Sequence, residues 1–296
     1  MSAVLLKGKK VAQNLLKDLQ ERSSLVLEKR GSPPHLAILS IGGDPSSQIY
    51  LKHKLNACKN AGVECTVEAL PQSIKEKDVL RILGKLDQDL NIDGIIVELP
   101  MPEHLDARRI IEAIPQEKDV EGVTSANFGK LFREKSFQQL KRADTLIPCT
   151  AIATIQLLLE TGVDPRGLAA VIIGRSNIVG KPTAHLLSCL DATVTLCHSQ
   201  TKDLPGLVRR ADIVVSAVGK PRFIHGDWLK PGAIVLDAGV YSKGNEICGD
   251  VDFESARQVA GFITPVPGGI GPLTVTFLLY NTVISAEQRT RQILGD

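Results

Sequence analysis

The chain has 296 residues, 43% hydrophobic and 23% charged, which is typical of a globular protein large enough for two compact domains. Its 35 basic and 33 acidic residues give a formal net charge of +2, without a Lys/Arg block long enough to follow a nucleic-acid backbone. The six cysteines lack the short paired spacing of zinc sites, and no segment has the length and apolarity of a bilayer span. We therefore expect a cytoplasmic protein without a nucleic-acid partner, a membrane partner or a metal ion.

The first half of the chain alternates between helical and strand patterns. The predicted elements are, in order, a helix over residues 4–29, a strand over 35–42, a helix starting at Asp44, a strand over 64–70, a helix over 75–86 and a strand over 94–100. Strands and helices that alternate at these lengths form a parallel sheet whose ligand crevice lies at the carboxyl ends of its strands. The pattern predicts such a crevice in the first half.

Three side chains are predicted to reach this crevice. Tyr50 and Lys54 lie four positions apart and therefore on one face of their helix, and Glu98 comes at the end of a strand. A Tyr/Lys pair on a helix is more often a solvated pair that covers apolar surface. The pair therefore does not identify a site by itself.

A second α/β half is predicted after Pro148-Cys-Thr150. It contains a helix to about residue 159, strands over 169–174, 192–198, 212–218 and 233–239, a helix from Lys181, and a last helix over about 273–286 that we expect to pack back on the first domain. The predicted fold class is α/β. It has an N-terminal α/β domain over 1–147, joined by the C-terminal helix 273–296, and a Rossmann-type domain over 148–272, with a cleft between them.

The segment from Gly174 to Pro182 leads from a strand into a helix, where small residues let backbone amides approach a phosphate. Its spacing departs from G-x-G-x-x-G, so a plain strand-to-helix turn is an equally good interpretation of this loop alone. The next strand ends at Cys197-His198-Ser199, without the acidic residue that would hold a ribose 2′-hydroxyl. Arg175, His198 and Ser199 are instead suited to a 2′-phosphate, which favours NADP over NAD.

Two further loops follow strands of the second half. Val218-Gly219-Lys220-Pro221 is either a tight turn or a turn beside a nicotinamide. The segment from Thr264 to Thr274 places three glycines and three prolines before a helix, and so predicts a rigid loop with bare backbone. Such a loop suits a flat ligand lying against main chain.

Together these segments resemble the bifunctional methylenetetrahydrofolate dehydrogenase/cyclohydrolase family over nearly the whole chain. The motifs that occur in the family's order are Ser47-x-x-Tyr50-x-x-x-Lys54, Val97-Glu-Leu-Pro100, Glu117-Lys-Asp-Val-Glu-Gly122, Pro148-Cys-Thr150, Gly174-Arg-Ser-Asn-Ile-Val-Gly-Lys-Pro182, Gly249-Asp-Val251 and Pro265-Val-Pro-Gly-Gly-Ile-Gly-Pro-Leu-Thr274. Any one of them can arise by chance. Seven in order, spanning both halves, make the resemblance specific.

The resemblance implies NADP-dependent oxidation of methylenetetrahydrofolate to methenyltetrahydrofolate, then hydrolysis to 10-formyltetrahydrofolate, in one-carbon metabolism and purine biosynthesis. It implies that Lys54 is the main catalytic residue of the hydrolysis and that Tyr50 stacks on the folate. It also implies that a loop containing Pro267, Gly268 and Gly269 lies beside both the folate and the nicotinamide. The residues that we expect to bind NADP are Gly174, Arg175, Ser176, Ile178, His198, Ser199, Gly219 and Gly239. It also implies a homodimer formed through the cofactor domain, and no metal.

Two residues of the expected folate site depart from the family's usual motifs. Glu98 stands where the family has glutamine, and Glu121, expected to bind the pterin, stands where it has aspartate. An anionic Glu98 would stabilise the ammonium form of Lys54, which cannot accept a proton from water. Three hypotheses follow: a bifunctional enzyme, a dehydrogenase with an impaired hydrolytic step, or a non-catalytic folate/NADP-binding protein. Asp119 and Asp250 are the remaining acidic candidates, and a capping or loop-shaping role is at least as good an interpretation of Asp119 as a catalytic one.

Overall fold

The computed structural model describes residues 2–42, 45–142, 145–243 and 246–295, with the backbone alone for 45–50, 141–142, 243 and 246. The elements are, in chain order, β1 (Val4–Leu5), α1 (Gly8–Arg30), β2 (His35–Ile41), α2 (Pro45–Ala61), β3 (Glu64–Leu70), α3 (Glu76–Gln88), β4 (Gly94–Val97), α4 (Ala107–Glu112), α5 (Ser125–Arg133), α6 (Phe137–Arg142), α7 (Cys149–Leu159), β5 (Ala169–Ile173), α8 (Gly180–Ser188), β6 (Thr193–Cys197), α9 (Leu204–Val208), β7 (Ile213–Ser216), β8 (Ile234–Asp237), β9 (Tyr241–Lys243), β10 (Glu246–Cys248), α10 (Phe253–Ala256), β11 (Phe262–Ile263) and α11 (Ile270–Leu294).

The strands predicted from the sequence are all present, but the first helix begins later than predicted. Val4 and Leu5 form a strand that pairs with Phe262 and Ile263, so α1 starts only at Gly8. The last helix extends to Leu294 and is longer than its apolar pattern indicates. Asp44, the predicted start of α2, lies outside the described residues.

The chain divides into two compact units, and neither is continuous in sequence. The three-stranded unit comprises Asn14–Lys130, Asp144–Ile147 and Val275–Asp296, and the six-stranded unit comprises Met1–Gln13, Leu131–Ala143 and Pro148–Thr274. Within the described residues, no helix combines the length and the apolar character needed to cross a bilayer.

The three-stranded unit is built on a parallel sheet with the order β3-β2-β4. All four residues of β4 are buried, as expected for a sheet that is covered on both faces. The C-terminal part of α11 belongs to this unit: Asn281 donates to the carbonyls of Val120 and Ile147, at 2.8 and 2.9 Å, and the Ser285 hydroxyl lies 2.7 Å from the Asp93 carbonyl. These side chains satisfy main-chain groups of the segments that follow α3 and β4.

The six-stranded unit contains a parallel sheet with the order β1-β11-β8-β7-β5-β6. Beyond β5 the chain first adds β6 on one side and then β7 on the other, so the strand order reverses between β5 and β7. Open α/β sheets bind ligands outside the carboxyl ends of their strands at such a reversal. A separate antiparallel hairpin is formed by β9 and β10.

Candidate functional site

Lys54 and Glu98 meet at the carboxyl edge of the three-stranded sheet. The order β3-β2-β4 reverses at β2, the strand after which α2 brings Lys54, while Glu98 is the residue directly after β4 and donates its N–H to the Leu39 carbonyl at 2.9 Å. The Lys54 Nζ lies 2.6 Å from Glu98 Oε1, with 18% and 12% of the two side chains exposed. The pair is therefore a short charged hydrogen bond largely removed from water.

Tyr50 is the third residue predicted for this place. Its backbone lies within α2, one helical turn before Lys54. Its side chain lies outside the described part of the structure, so its predicted stacking role stays a prediction.

Glu121 shares the electrostatic environment of the Lys54–Glu98 pair. It comes two residues after Asp119, whose backbone aligns in parallel with Ile95 of β4. Burial raises the pKa of Glu121 to about 7; the charge of Lys54 lowers this pKa, and the charges of Asp119 and Glu98 raise it further. Two carboxyl groups and one ammonium group are thus grouped beside β4, where only one of the carboxyls has a short contact with the cation.

Asp119 shapes the loop that carries Glu121, as predicted. Its fully buried carboxylate accepts the N–H groups of Val123 and Thr124, at 3.2 and 2.8 Å, and the amide of Asn127 at 2.8 Å. These bonds leave Asp119 turned into its own loop. It is a structural residue rather than a catalytic one.

Lys118 has a structural role that the sequence does not reveal. Its buried Nζ donates to the carbonyls of Leu86, Asp87 and Asp89, at 2.7, 2.7 and 2.8 Å, at the end of α3. Burial lowers the pKa of Lys118 to about 8. Lys118 therefore caps the end of α3, although it lies thirty positions after the last residue of that helix. The spacing of neighbouring residues in the sequence could not indicate this contact.

In the six-stranded unit, the loop between β5 and α8 has the compact form expected of a phosphate-binding turn. Gly174 has φ of 114°, and a Cβ there would strike the carbonyl of Ala217, while one on Gly180 would strike the carbonyl of Gly174. The Ser176 hydroxyl accepts the N–H groups of Val179 and Gly180 at 3.1 and 3.3 Å. The backbone therefore makes a tight turn into the start of α8, and residues 175–178 within this turn, including Arg175 and Ile178, are exposed.

His198 and Ser199 lie next to this loop. The N–H of Gly174 donates to the Cys197 carbonyl at 3.0 Å, so the carboxyl ends of β5 and β6 are adjacent. His198 is half-buried and Ser199 exposed, and the His198 N–H is held by the Thr201 hydroxyl at 2.8 Å. The residues that follow β6 therefore lie at the same sheet edge as the loop that carries Arg175.

The remaining predicted loops follow β7, β8 and β11 in the same unit. Gly219 has a positive φ of 68° after β7, and Gly239 comes two residues after β8. The Pro-Gly loop after β11 closes on itself through the N–H of Gly269 and the carbonyl of Pro265 at 2.8 Å, and Gly268 accepts from the N–H of Gly8 at 3.0 Å. Pro267 and Gly268 lie in this loop directly before α11.

Comparison with known proteins matches both halves of the chain to one family. Residues 6–121 match the family model of the tetrahydrofolate dehydrogenase/cyclohydrolase catalytic domain, and residues 148–290 match that of the tetrahydrofolate dehydrogenase/cyclohydrolase NAD(P)-binding domain. The chain belongs to the tetrahydrofolate dehydrogenase/cyclohydrolase family. The resemblance inferred from the seven motifs is confirmed, and so are the α/β class and the presence of two domains of these kinds.

Curated relatives match over nearly their full length. The chain is 45% identical over 290 residues to the bifunctional protein FolD of Moorella thermoacetica, covering 97% of this chain and 100% of the relative, and it is 45% identical to that of Bordetella avium, with 97% and 99% covered. The solved bifunctional enzyme FolD, methylenetetrahydrofolate dehydrogenase/cyclohydrolase, of Campylobacter jejuni superposes with a TM-score of 0.91 at 38% identity, covering 97% and 100% of the two chains.

A second solved relative is described with its cofactor. The Trypanosoma brucei methylenetetrahydrofolate dehydrogenase-cyclohydrolase, complexed with NADP and an inhibitor, has a TM-score of 0.91 at 36% identity and covers 98% of this chain and 99% of its own. Within the ranges that the structure describes here, no group of three His, Cys, Asp or Glu side chains is placed to hold a metal ion.

Proposed function

We propose that this protein oxidises 5,10-methylenetetrahydrofolate with NADP and hydrolyses the resulting 5,10-methenyltetrahydrofolate to 10-formyltetrahydrofolate. The observation that carries the proposal is the 2.6 Å contact of Lys54 with Glu98 at a strand-order reversal, in a chain that matches the family across both domains. A lysine held at the ligand-binding edge of a parallel sheet is positioned to handle a proton.

For the oxidation, NADP when bound accepts a hydride from the methylene carbon. Gly174 and Gly180 supply the close backbone turn that suits a phosphate, and Arg175, His198 and Ser199 supply the polar groups that suit the 2′-phosphate. We assign Ser176, Ile178, Gly219 and Gly239 to the same site. The departing hydride leaves a cation stabilised by the folate nitrogens, so the protein chiefly orients the reactants and needs no strong base.

For the hydrolysis, a water attacks the methenyl carbon and must lose a proton. We assign the handling of that proton to Lys54, positioned by Glu98, and the binding of the pterin to Glu121 and Tyr50. Pro267, Gly268 and Gly269 are assigned to the loop that borders the folate. As the addition product collapses, the bond to one folate nitrogen breaks and the formyl group remains on the other.

The corresponding division of the chain is a folate-binding catalytic domain over residues 1–147, completed by helix residues 273–296, and an NADP-binding domain over residues 148–272. The start of the NAD(P)-binding family model at residue 148 supports the boundary between the domains, whereas that model runs through the last helix to residue 290. The grouping of Val275–Asp296 with Asn14–Lys130 supports the assignment of the last helix, whereas Met1–Gln13 and Leu131–Ala143 group with the six-stranded unit.

The two half-reactions can be tested separately on the purified protein. Formation of NADPH from methylenetetrahydrofolate reports the oxidation, and the loss of methenyltetrahydrofolate absorbance without any nucleotide reports the hydrolysis. We expect oxidation with NADP to exceed that with NAD, and we expect Lys54→Gln to abolish hydrolysis. Lys52→Gln, at an exposed position on the same helix, is the matched control and should leave both rates unchanged. A wild-type protein without folate-dependent NADPH formation would refute the proposal.

We further propose a cytoplasmic homodimer whose 10-formyltetrahydrofolate serves one-carbon metabolism, including purine biosynthesis. The dimer is supported by exposed apolar side chains on the β9–β10 hairpin and on the residue before it. Val240, Tyr241 and Ile247 are 53%, 36% and 42% exposed. Light scattering should give twice the chain mass, and Ile247→Glu should shift the protein toward the monomer. An unchanged mass for that variant would contradict this interface.

A further inference from the structure

Two buried aspartates lie at the carboxyl edge of the six-stranded sheet. The proposed function assigns no role to either of them. Asp237 is the last residue of β8 and is 3% exposed, and Asp250 follows the β9–β10 hairpin and is fully buried. A buried carboxylate is costly unless its oxygens are hydrogen-bonded. The donors that bond to these two residues therefore show what they hold in place.

Asp250 holds the turn that follows β7. One of its oxygens accepts the Ser216 hydroxyl at 2.9 Å and the N–H of Val218 at 2.7 Å, and the other accepts the N–H of Lys220 at 2.8 Å. These donors lie on both sides of Gly219, which has a positive φ. One side chain thus fixes both arms of the turn.

Asp237 joins three segments at the same edge. Its carboxylate accepts the N–H groups of Gly239 at 3.0 Å, Asp250 at 3.1 Å and Val251 at 2.9 Å. Its own N–H donates to the Thr264 hydroxyl at 2.7 Å, directly before the Pro-Gly loop. Asp250 is therefore seated on Asp237, and the strand ends of β7, β8 and β11 belong to one hydrogen-bonded network.

Two glycines allow the carboxylates to come this close. A Cβ on Gly239 would strike the carboxylate of Asp250, and a Cβ on Gly249 would strike that of Asp237. Gly239 is therefore required by the network itself, whatever contact it makes with a ligand. The same holds for Gly249. The motif Gly249-Asp250-Val251 therefore has a physical explanation: Gly249 lets the backbone approach Asp237 closely, and the N–H groups of Asp250 and Val251 donate to the Asp237 carboxylate.

We propose that Asp250, seated on Asp237, is a positioning residue for NADP, which holds the turns of Gly219 and Gly239 in the shape that the cofactor binds. The inference rests on the proposed function and extends it, since it assigns these two aspartates to cofactor affinity and not to folate hydrolysis. A preformed turn spares the ordering cost that binding would otherwise carry. Without Asp250 the turn must be ordered by NADP itself.

The test is Asp250→Asn, which keeps the size of the side chain but turns an NH2 group toward a main-chain donor. We expect the dissociation constant for NADP, measured by calorimetry without folate, to rise about tenfold or more, because a charged hydrogen-bond acceptor is lost. The KM for NADP should rise with it, more than kcat falls. Hydrolysis of methenyltetrahydrofolate without nucleotide should stay within about twofold of wild type. A variant that was only destabilised would lose hydrolysis together with NADP binding.

Asp212→Asn is the matched control. Asp212 precedes β7, at the amino end of the same sheet, where it accepts the N–H of Ala169 at 2.9 Å and bonds Lys230 at 2.5 Å. This variant should lose stability but keep its NADP affinity. An equal loss of NADP affinity in both variants, or a loss of hydrolysis alongside NADP binding in Asp250→Asn, would overturn the inference.

If Asp250→Asn does not fold, Ser216→Ala removes a single donor and preserves both main-chain bonds. A rise of about threefold in the NADP dissociation constant is then expected, the low end for one hydrogen bond, and an unchanged constant would overturn the inference. If the wild type and Asp250→Asn bind NADP equally well, the positioning role is refuted and the proposed function is not. A wild-type protein that binds no NADP refutes the proposed function, and the inference with it.

Discussion

Lys54 and Glu98 form a short ion pair at the carboxyl edge of the three-stranded sheet. Their 2.6 Å contact agrees with the expectation, drawn from the sequence, that both side chains reach the crevice at the strand ends. The spacing of residues along the chain could place them at one sheet edge, but it could not give their separation. That separation depends on how α2 packs on the sheet, which no local pattern encodes.

Glu98→Gln restores the family's usual glutamine and removes the negative charge beside Lys54. The Lys54 Nζ is then no longer held by a carboxylate in a 2.6 Å contact and is free to contact the attacking water, so we expect hydrolysis of methenyltetrahydrofolate to become about tenfold faster at neutral pH. The oxidation, which needs no strong base, should change little. Single-turnover hydrolysis without nucleotide measures the effect.

The control for this variant is Glu103→Gln, which removes the same charge at an exposed position a few residues away. It should leave hydrolysis unchanged. If Glu98→Gln hydrolyses no faster than wild type, the carboxylate does not restrain the lysine and this account of the pair is wrong.

Glu121 should make folate binding depend on pH. Burial raises the pKa of its carboxyl to about 7, so below neutrality the group is mostly protonated and no longer offers a carboxylate to the pterin N–H donors. The apparent folate affinity should therefore fall about tenfold between about pH 8 and about pH 6. Measurement of KM for methylenetetrahydrofolate across this range tests the effect, and Glu121→Gln should remove the dependence. A KM that is flat in the wild type would argue against contact with the pterin.

Several residues with clear structural roles had no detectable signal in the sequence. Lys118 bonds carbonyls that precede it by about thirty residues, and Asp237 and Asp250 bond N–H groups contributed by several different segments. Their partners are main-chain atoms, which look the same in every sequence. The available hints were an aspartate closing an apolar strand, as in Ile234-Val-Leu-Asp237, and the family motif Gly249-Asp250-Val251, neither of which indicates what the aspartate holds.

Among the elements, the longer strands and helices were predictable and the short ones were not. β2 and β5 are largely apolar runs, and β3 mixes apolar and polar residues over a similar length; all three are bounded by turn residues, so the sequence indicates them. β1 and β11 have two residues each, too few to show any periodicity, and exist because they pair with each other and with β8. The hairpin of β9 and β10 was missed for the same reason.

The end of α3 provides a test at this scale. Lys118→Met removes a cationic cap that donates to three carbonyls, and leaves those carbonyls buried without their donor. We expect a loss of about 3 kcal/mol in the free energy of unfolding, the upper range for hydrogen bonds to a charged group. Urea unfolding measures it. Lys85→Met, at an exposed position on the same helix, should cost little, and equal losses in both variants would contradict the capping role.

For the whole molecule, the half-buried Glu121 and the buried Asp237 make stability depend on pH. Burial raises the pKa of both Glu121 and Asp237 to about 7. Between about pH 5 and about pH 7 the folded chain therefore retains protons that the unfolded chain has released, so stability falls as pH rises through this window and levels off above it. Each group contributes at most about 3 to 4 kcal/mol, since one pKa unit corresponds to about 1.4 kcal/mol.

Unfolding of the apoprotein at several pH values across this window tests the sign. Glu121→Gln should flatten the pH profile, and Glu64→Gln, at an exposed position, should leave its slope as in the wild type. A stability that rises steadily from acidic to neutral pH in the wild type, with no change of slope in Glu121→Gln, would show that the carboxyl is ionised throughout.

The pairing of β1 with β11 also has a consequence for how the protein is made. Val4 leaves the ribosome 258 residues before its partner Phe262. At usual rates of translation the first strand must wait on the order of tens of seconds for its neighbour. During that time β11 has not been synthesised, so β1 lacks the strand with which it pairs in the six-stranded sheet. A ribosome that stalls before β11 therefore exposes an unfinished sheet, which is a substrate for chaperones rather than a smaller enzyme.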